Sequence, residues 1–141
     1  MGGDGHTHHW LITGAVLFVK SPDSRFEIRV FEKTEYRMGS PQYGRVDILN
    51  SPCDTEGYSL GEILAFSPDS RFLAIDELVS WRRHPHTRVI VFELAAGNEF
   101  VAHEQTPGII TSLSWNNDGS LSITTFSEEF GERLRKWSPA D

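Results

Sequence analysis

Polar and apolar residues alternate along much of this chain. In Ser24-Arg25-Phe26-Glu27-Ile28-Arg29-Val30-Phe31-Glu32-Lys33 the apolar Phe26, Ile28 and Val30 interleave with Arg25, Glu27 and Arg29, the period of two that turns one strand face to a core and the other to water. This segment reads as an edge or surface strand, and its charged face discourages edge-to-edge aggregation. Short apolar or strand-like runs such as Ile63-Leu64-Ala65-Phe66, Val89-Ile90-Val91-Phe92 and Leu121-Ser122-Ile123-Thr124-Thr125-Phe126 recur along the chain between turn-like stretches. Trp10 to Val19 is a further strand candidate. The pattern predicts an all-β domain of about ten strands with near-zero helix.

The turns repeat. Ser21-Pro22-Asp23-Ser24-Arg25-Phe26 recurs letter for letter 46 residues later as Ser67-Pro68-Asp69-Ser70-Arg71-Phe72, and a degenerate third copy, Asn116-Asn117-Asp118-Gly119-Ser120-Leu121, follows 49 residues after that. Proline presets φ at the first central position, the aspartate side chain bonds its own turn, and serine or glycine closes it. An aromatic precedes the turn twice, as Phe66 and Trp115, and both are expected to be core. A second landmark, Leu49, Phe92 and Trp137, recurs at spacings of 43 and 45. The unit is therefore strand, tight turn, strand, repeated about three times at a period of ~45 residues.

The middle unit, LAFSPDSRFLAI leading to RVIVFELAAG, resembles a blade of a WD-repeat β-propeller, and the last, LSWNNDGSLSI leading to RLRKW, is similar to the same pattern. The resemblance covers about residues 43 to 141. The tryptophan-aspartate pair that names the family stands here as Phe92-Glu93 and Trp137-Ser138, and its glycine-histidine partner is absent, with His103 displaced. The resemblance implies antiparallel hairpins of propeller-blade type and a protein-binding surface. Closed propellers use about four to eight blades, so three units are expected to form a compact sandwich, or a partial propeller that another copy completes. Met1 and the polar Ser138-Pro139-Ala140-Asp141 are expected to be true chain ends, which favours the sandwich.

Residues 1–9 read as a flexible histidine-containing tail and residues 10–141 as one domain. The chain has 13 Lys+Arg against 20 Asp+Glu, a net charge of -7, so its average surface repels nucleic acid and anionic lipid. Cys53 is the sole cysteine, which fits a reducing, cytoplasmic location. The stretch from Trp10 to Val19 is too short for the ~20 residues of a membrane span, and Met1 to His9 lacks the basic residues of a signal peptide.

No catalytic residue and no cofactor emerges. Cys53 lies beside Asp54, whose charge would raise the thiol pKa. Asp76-Glu77 and Glu128-Glu129 are adjacent pairs that a strand points to opposite faces, poor geometry for acid-base work. No phosphate loop, nucleophile elbow or paired-cysteine zinc motif is present. His6-Thr7-His8-His9 and His84-Pro85-His86 have chelating spacing, yet no third ligand is evident in sequence. No metal is therefore assigned.

Two segments stand out as partner-binding candidates. Ser80 to Arg88 reads as a loop that concentrates Trp81, Arg82, Arg83, His84, His86 and Arg88, residue types typical of binding hot spots in a setting typical of function. The acidic segment Glu128, Glu129, Phe130 and Glu132 surrounds an aromatic with carboxylates and suits a basic surface. The expected function is a non-catalytic protein-protein interaction module. Size, acidity and cysteine poverty are similar to those of bacterial toxin-immunity proteins, which implies a partner such as a basic toxin or effector that the chain occludes. A WD-repeat-like scaffold completed by oligomerisation and a metal-dependent hydrolase using the histidine clusters are the alternatives.

Overall fold

A computed structural model describes residues 6–11, 14–35 and 41–139. Among them are eleven antiparallel strands and no helix: β1 (His6–Leu11), β2 (Gly14–Lys20), β3 (Glu27–Glu35), β4 (Gln42–Leu49), β5 (Leu60–Phe66), β6 (Phe72–Trp81), β7 (Pro85–Glu93), β8 (Asn98–Pro107), β9 (Ile109–Trp115), β10 (Leu121–Ser127) and β11 (Gly131–Trp137). β1 to β8 follow one another in an eight-stranded sheet, and a second sheet runs β11-β10-β9. No helix among the described residues is long and apolar enough to cross a membrane. Residues 6–9 of the expected tail lie in β1, paired with β2, and residues 1–5 lie outside the described residues. The single strand expected from Trp10 to Val19 is the meeting point of two.

The eight-stranded sheet is held between β4 and β5 by one residue pair, Gly44↔Leu60. At that weak seam the sheet folds on itself. Phe26, Ile28, Val46 and Ile48 of the first half then pack against Leu73, Ile75, Ile90 and Phe92 of the second in one core cluster. The alternate residues of β6 and β7, Phe72, Ala74, Val89 and Val91, face the other way and meet Ile110, Leu121 and Ile123 of the smaller sheet. β6 and β7 are thus buried on both faces, which is why they read as near-continuous apolar runs while β3 alternates. The result is a three-layer all-β sandwich, open rather than closed into a barrel.

The two outward faces of this stack are largely polar, with Leu134 and Phe126 exposed on the third layer. On β3 and β4 the guanidinium of Arg29 covers the Phe18 ring at 4.9 Å and that of Arg45 covers Phe31 at 3.9 Å, each with a same-strand carboxylate, Glu27 or Asp47, beside it. β3 is therefore a surface strand, though not an edge, since it lies between β2 and β4. On the third layer the outward positions opposite Leu121, Ile123 and Trp115 include Ser112, Ser114, Ser122 and Thr124. Polar outer faces are how a stack of repeats is capped.

Each recurring turn joins the first two strands of a unit. In the first two copies the serine hydroxyl donates to the aspartate, as at Ser21–Asp23 (2.8 Å) and Ser67–Asp69 (2.7 Å), while Ser24 and Ser70 sit at φ 62°. The Ser70 hydroxyl accepts the amide of Asp23 at 3.0 Å, tying the first turn to the second. The third copy is one residue tighter: Ser67 N donates to Phe72 O, but Asn116 N donates to Ser120 O. Leu121 therefore occupies the place of Leu73, not of Phe72, and its side chain points inward.

The two expected aromatic anchors, Phe66 and Trp115, pack against the two clusters. Trp115 stacks on Phe72 with ring centres 5.6 Å apart and donates its indole N–H to Ala65 O at 2.9 Å, which joins the second and third layers.

Candidate functional site

The segment read as a loop from Ser80 to Arg88 is mostly strand. Ser80↔His86 and Trp81↔Pro85 are paired, so only Arg82, Arg83 and His84 form the hairpin tip. Strand pairing overrides the local turn signals because both partners lie on the most buried strands of the fold. Pro85, without an N–H, is tolerated at the first position of β7.

The tip is held by Gly108, the single residue between β8 and β9. Its amide donates to Pro85 O (2.8 Å) and its carbonyl accepts from Thr87 Oγ1 (2.8 Å). Gly108 adopts φ +112°, and a Cβ there would lie 2.4 Å from Phe126 O. Only glycine permits this approach, which draws the end of β10 against the β6–β7 tip. β10 runs on to Ser127, where the hydroxyl accepts the amide of Phe130 at 3.0 Å and closes the acidic turn.

These contacts bring the two sequence-predicted segments, far apart in the chain, to a single cleft of about 390 Å³. One wall is Trp81, Arg83, His84 and Pro85; the other is Phe126, Ser127, Glu128 and Glu129; Pro107, Gly108 and Ile109 lie between, with Pro41 at the margin. The volume suits a small molecule or a few inserted side chains. The lining is largely apolar, with the guanidinium of Arg83 on one side and the carboxylates of Glu128 and Glu129 on the other. Such an arrangement orients a polar guest.

Several predicted residues lie elsewhere. Arg88 is half-buried on β7, where its Nε is 2.5 Å from Glu77 Oε1; that hydrogen bond holds the guanidinium more firmly charged than usual. His86 is half-buried, with Nδ1 3.2 Å from the carbonyl of His84. Arg82 is exposed on the tip. Phe130 is 48 % exposed beyond the cleft with Arg133 over its ring at 4.3 Å, and Glu132 is exposed on β11. The reading of residues missed Ile109, Phe126, Pro107 and Gly108. The outward parity of Phe126, opposite to buried Thr125, was the available signal.

The carboxylate pair Asp76-Glu77 does point to opposite faces. Glu77 meets Arg88, while Asp76, 1 % exposed, accepts the amide of Ile63 at 3.1 Å inside the irregularity between Leu60 and Leu64. It supplies an acceptor that the interrupted ladder lacks. Burial, more than neighbouring charge, pushes the Cys53 thiol up, so the thiolate is scarce. Among the described residues no group of three or more His, Cys, Asp or Glu is placed to hold a metal ion; the side chains of His6, His8 and His9 lie outside the described set.

A larger open groove of about 540 Å³ lies between the second and third turns. Its carboxylates, Asp69 and Asp118, already accept hydrogen bonds within their own turns, so the cleft at the opposite end offers the more available chemistry. Compared with protein-family models, curated proteins and solved structures, the chain matches none.

Proposed function

We propose that this chain is a non-catalytic protein-interaction module that takes a partner at the cleft between the β6–β7 tip and the acidic turn after β10. The observation that carries the reading is the convergence itself. Trp81, Arg83 and His84 and, from the other segment, Glu128 and Glu129 line one concave surface with Phe126, the mixture of an aromatic anchor and polar rim that interfaces use. A net charge of -7 favours a basic partner through faster encounter. In its more specific form the module is an immunity-type inhibitor that occludes a basic toxin or effector.

The test is affinity capture with the native chain in parallel with Trp81→Ala and with Glu128→Gln/Glu129→Gln. The expected result is a defined protein retained by the native chain and lost from both variants, with unchanged thermal unfolding. Identical captured proteins in all three would reject the cleft as the binding surface.

A further inference from the structure

The smaller sheet ends at β11, and no strand lies beyond it among the described residues. Its counterpart one unit earlier is covered. Leu73↔Phe92 between β6 and β7 corresponds to Leu121↔Trp137 between β10 and β11, so β7 and β11 are equivalent strands. β7 carries β8 on its outer side from His86↔Pro107 to Glu93↔Asn98. The outer side of β11 presents the same row of backbone N–H and C=O groups with nothing paired to them in the strand order.

The side chains along that edge have a sign. Arg133, Arg135 and Lys136 stand against the one carboxylate of Glu132, all of them exposed, in a chain whose net charge is -7. Leu134 between them is 65 % exposed, more than any other large hydrophobic among the described residues. The covering strand of the preceding unit has the opposite character: β8 carries Glu99 and Glu104 among Phe100, Val101 and Ala102. A second copy is the poorer occupant: an antiparallel β11–β11 pair centred on Leu134 sets Arg133 opposite Arg135 twice against Glu132 opposite Lys136 twice. With three cations to one carboxylate on each strand the two copies repel overall, whereas an acidic strand complements them.

We propose that β11 is a docking edge which takes an extended acidic segment of a partner protein as the fourth strand of the smaller sheet. Main-chain hydrogen bonds provide the attachment and Arg133, Arg135 and Lys136 select carboxylates, the division of labour seen wherever a peptide adds to a sheet edge. Leu134 gives an apolar side chain of the incoming strand a contact on the outward face. The polarity of this contact is opposite to that proposed for the cleft, and it involves other residues, so each stands or falls separately.

The probe is a blocked peptide of the length of β8, 10 residues, alternating Glu with Val, and its control alternates Lys with Val. Hydrogen exchange read by mass spectrometry or NMR is expected to show protection of amides in 132–136 on adding the acidic peptide and none with the basic one. Arg133→Glu/Arg135→Glu is expected to weaken the acidic peptide by about tenfold or more, and Arg135→Glu alone by a smaller factor if the double variant unfolds. Equal protection by the two peptides, protection confined to other strands, or no protection at millimolar acidic peptide would overturn the proposal.

Discussion

Replacing Gly108 by alanine tests the joint that builds the cleft. At φ +112° an L side chain is strained whatever the space around it, a cost of about 1–3 kcal/mol. The added Cβ would also lie 2.4 Å from Phe126 O and 3.0 Å from Ser127 Cβ, the first about 1 Å inside van der Waals contact. The obstructing atom is backbone, so relief requires β10 to move, a further cost of about 1–3 kcal/mol. The sum is about 2–6 kcal/mol. Gly119→Ala is the control, because Gly119 also has a positive φ, +87°, but nothing lies within 4 Å of its Cβ position; it should cost only about 1–2 kcal/mol. In urea, with a slope of about 2 kcal/mol per molar, the midpoint should fall by about 1–3 M for Gly108→Ala and by about 0.5–1 M for Gly119→Ala, the former always the larger. Equal shifts would show that Gly108 is an ordinary turn glycine and that the tip and the acidic turn are not clamped together there.

Ser24→Gly should stabilise the protein by about 0.5–1 kcal/mol in urea unfolding, since an exposed serine held at φ 62° carries a left-handed penalty that glycine lacks. Ser70→Gly, at the same φ, should gain less because it also deletes the hydroxyl that accepts the Asp23 amide. Trp115→Ala should cost about 3–5 kcal/mol, through loss of the stack on Phe72 and of the indole donor to Ala65 O; an unchanged melting temperature would contradict the packing of the second and third layers. Hydrogen bonds from Ser67 and the Arg71 amide hold the Asp69 carboxyl below its ordinary 3.8. A carboxyl depressed in the folded state contributes stability above that value and loses it as pH falls through the lower folded pKa. Asp69→Asn should therefore flatten the dependence of the urea midpoint on pH below about 4, and an acid limb identical to that of the native chain would refute the assignment.

Much of the fold was legible in local chemistry. The serine-proline-aspartate turns specify their hairpins by themselves, and Phe26, Ile28 and Val30 show which face of β3 is buried. The third turn misled by one residue. Its lettering aligns Leu121 with Phe72, but Gly119 and Ser120 close a shorter hydrogen-bonded loop, which moves Leu121 to the opposite face of that alignment. The stretch from Ser80 to Arg88 looked like a loop because its charges, histidines and proline mask a strand whose pairing is dictated by buried neighbours. Each half of the cleft could be singled out from residue types. Their meeting depends on Gly108 lying against Phe126 O, a contact that sequence spacing does not encode. Leu134 gave no signal of its exposure either, since its counterpart Val89 is fully buried on β7.

The most direct test of the central claim, that the hairpin tip and the acidic turn form one partner surface, is a double-mutant cycle by calorimetry with the partner that the native chain captures. Trp81→Ala is expected to weaken binding by about 2 kcal/mol or more, Glu128→Gln/Glu129→Gln to weaken it as well, and the combination to fall short of the sum by about 0.5 kcal/mol or more because the groups act on one bound surface. Unchanged affinity for Trp81→Ala, or strictly additive losses, would contradict it.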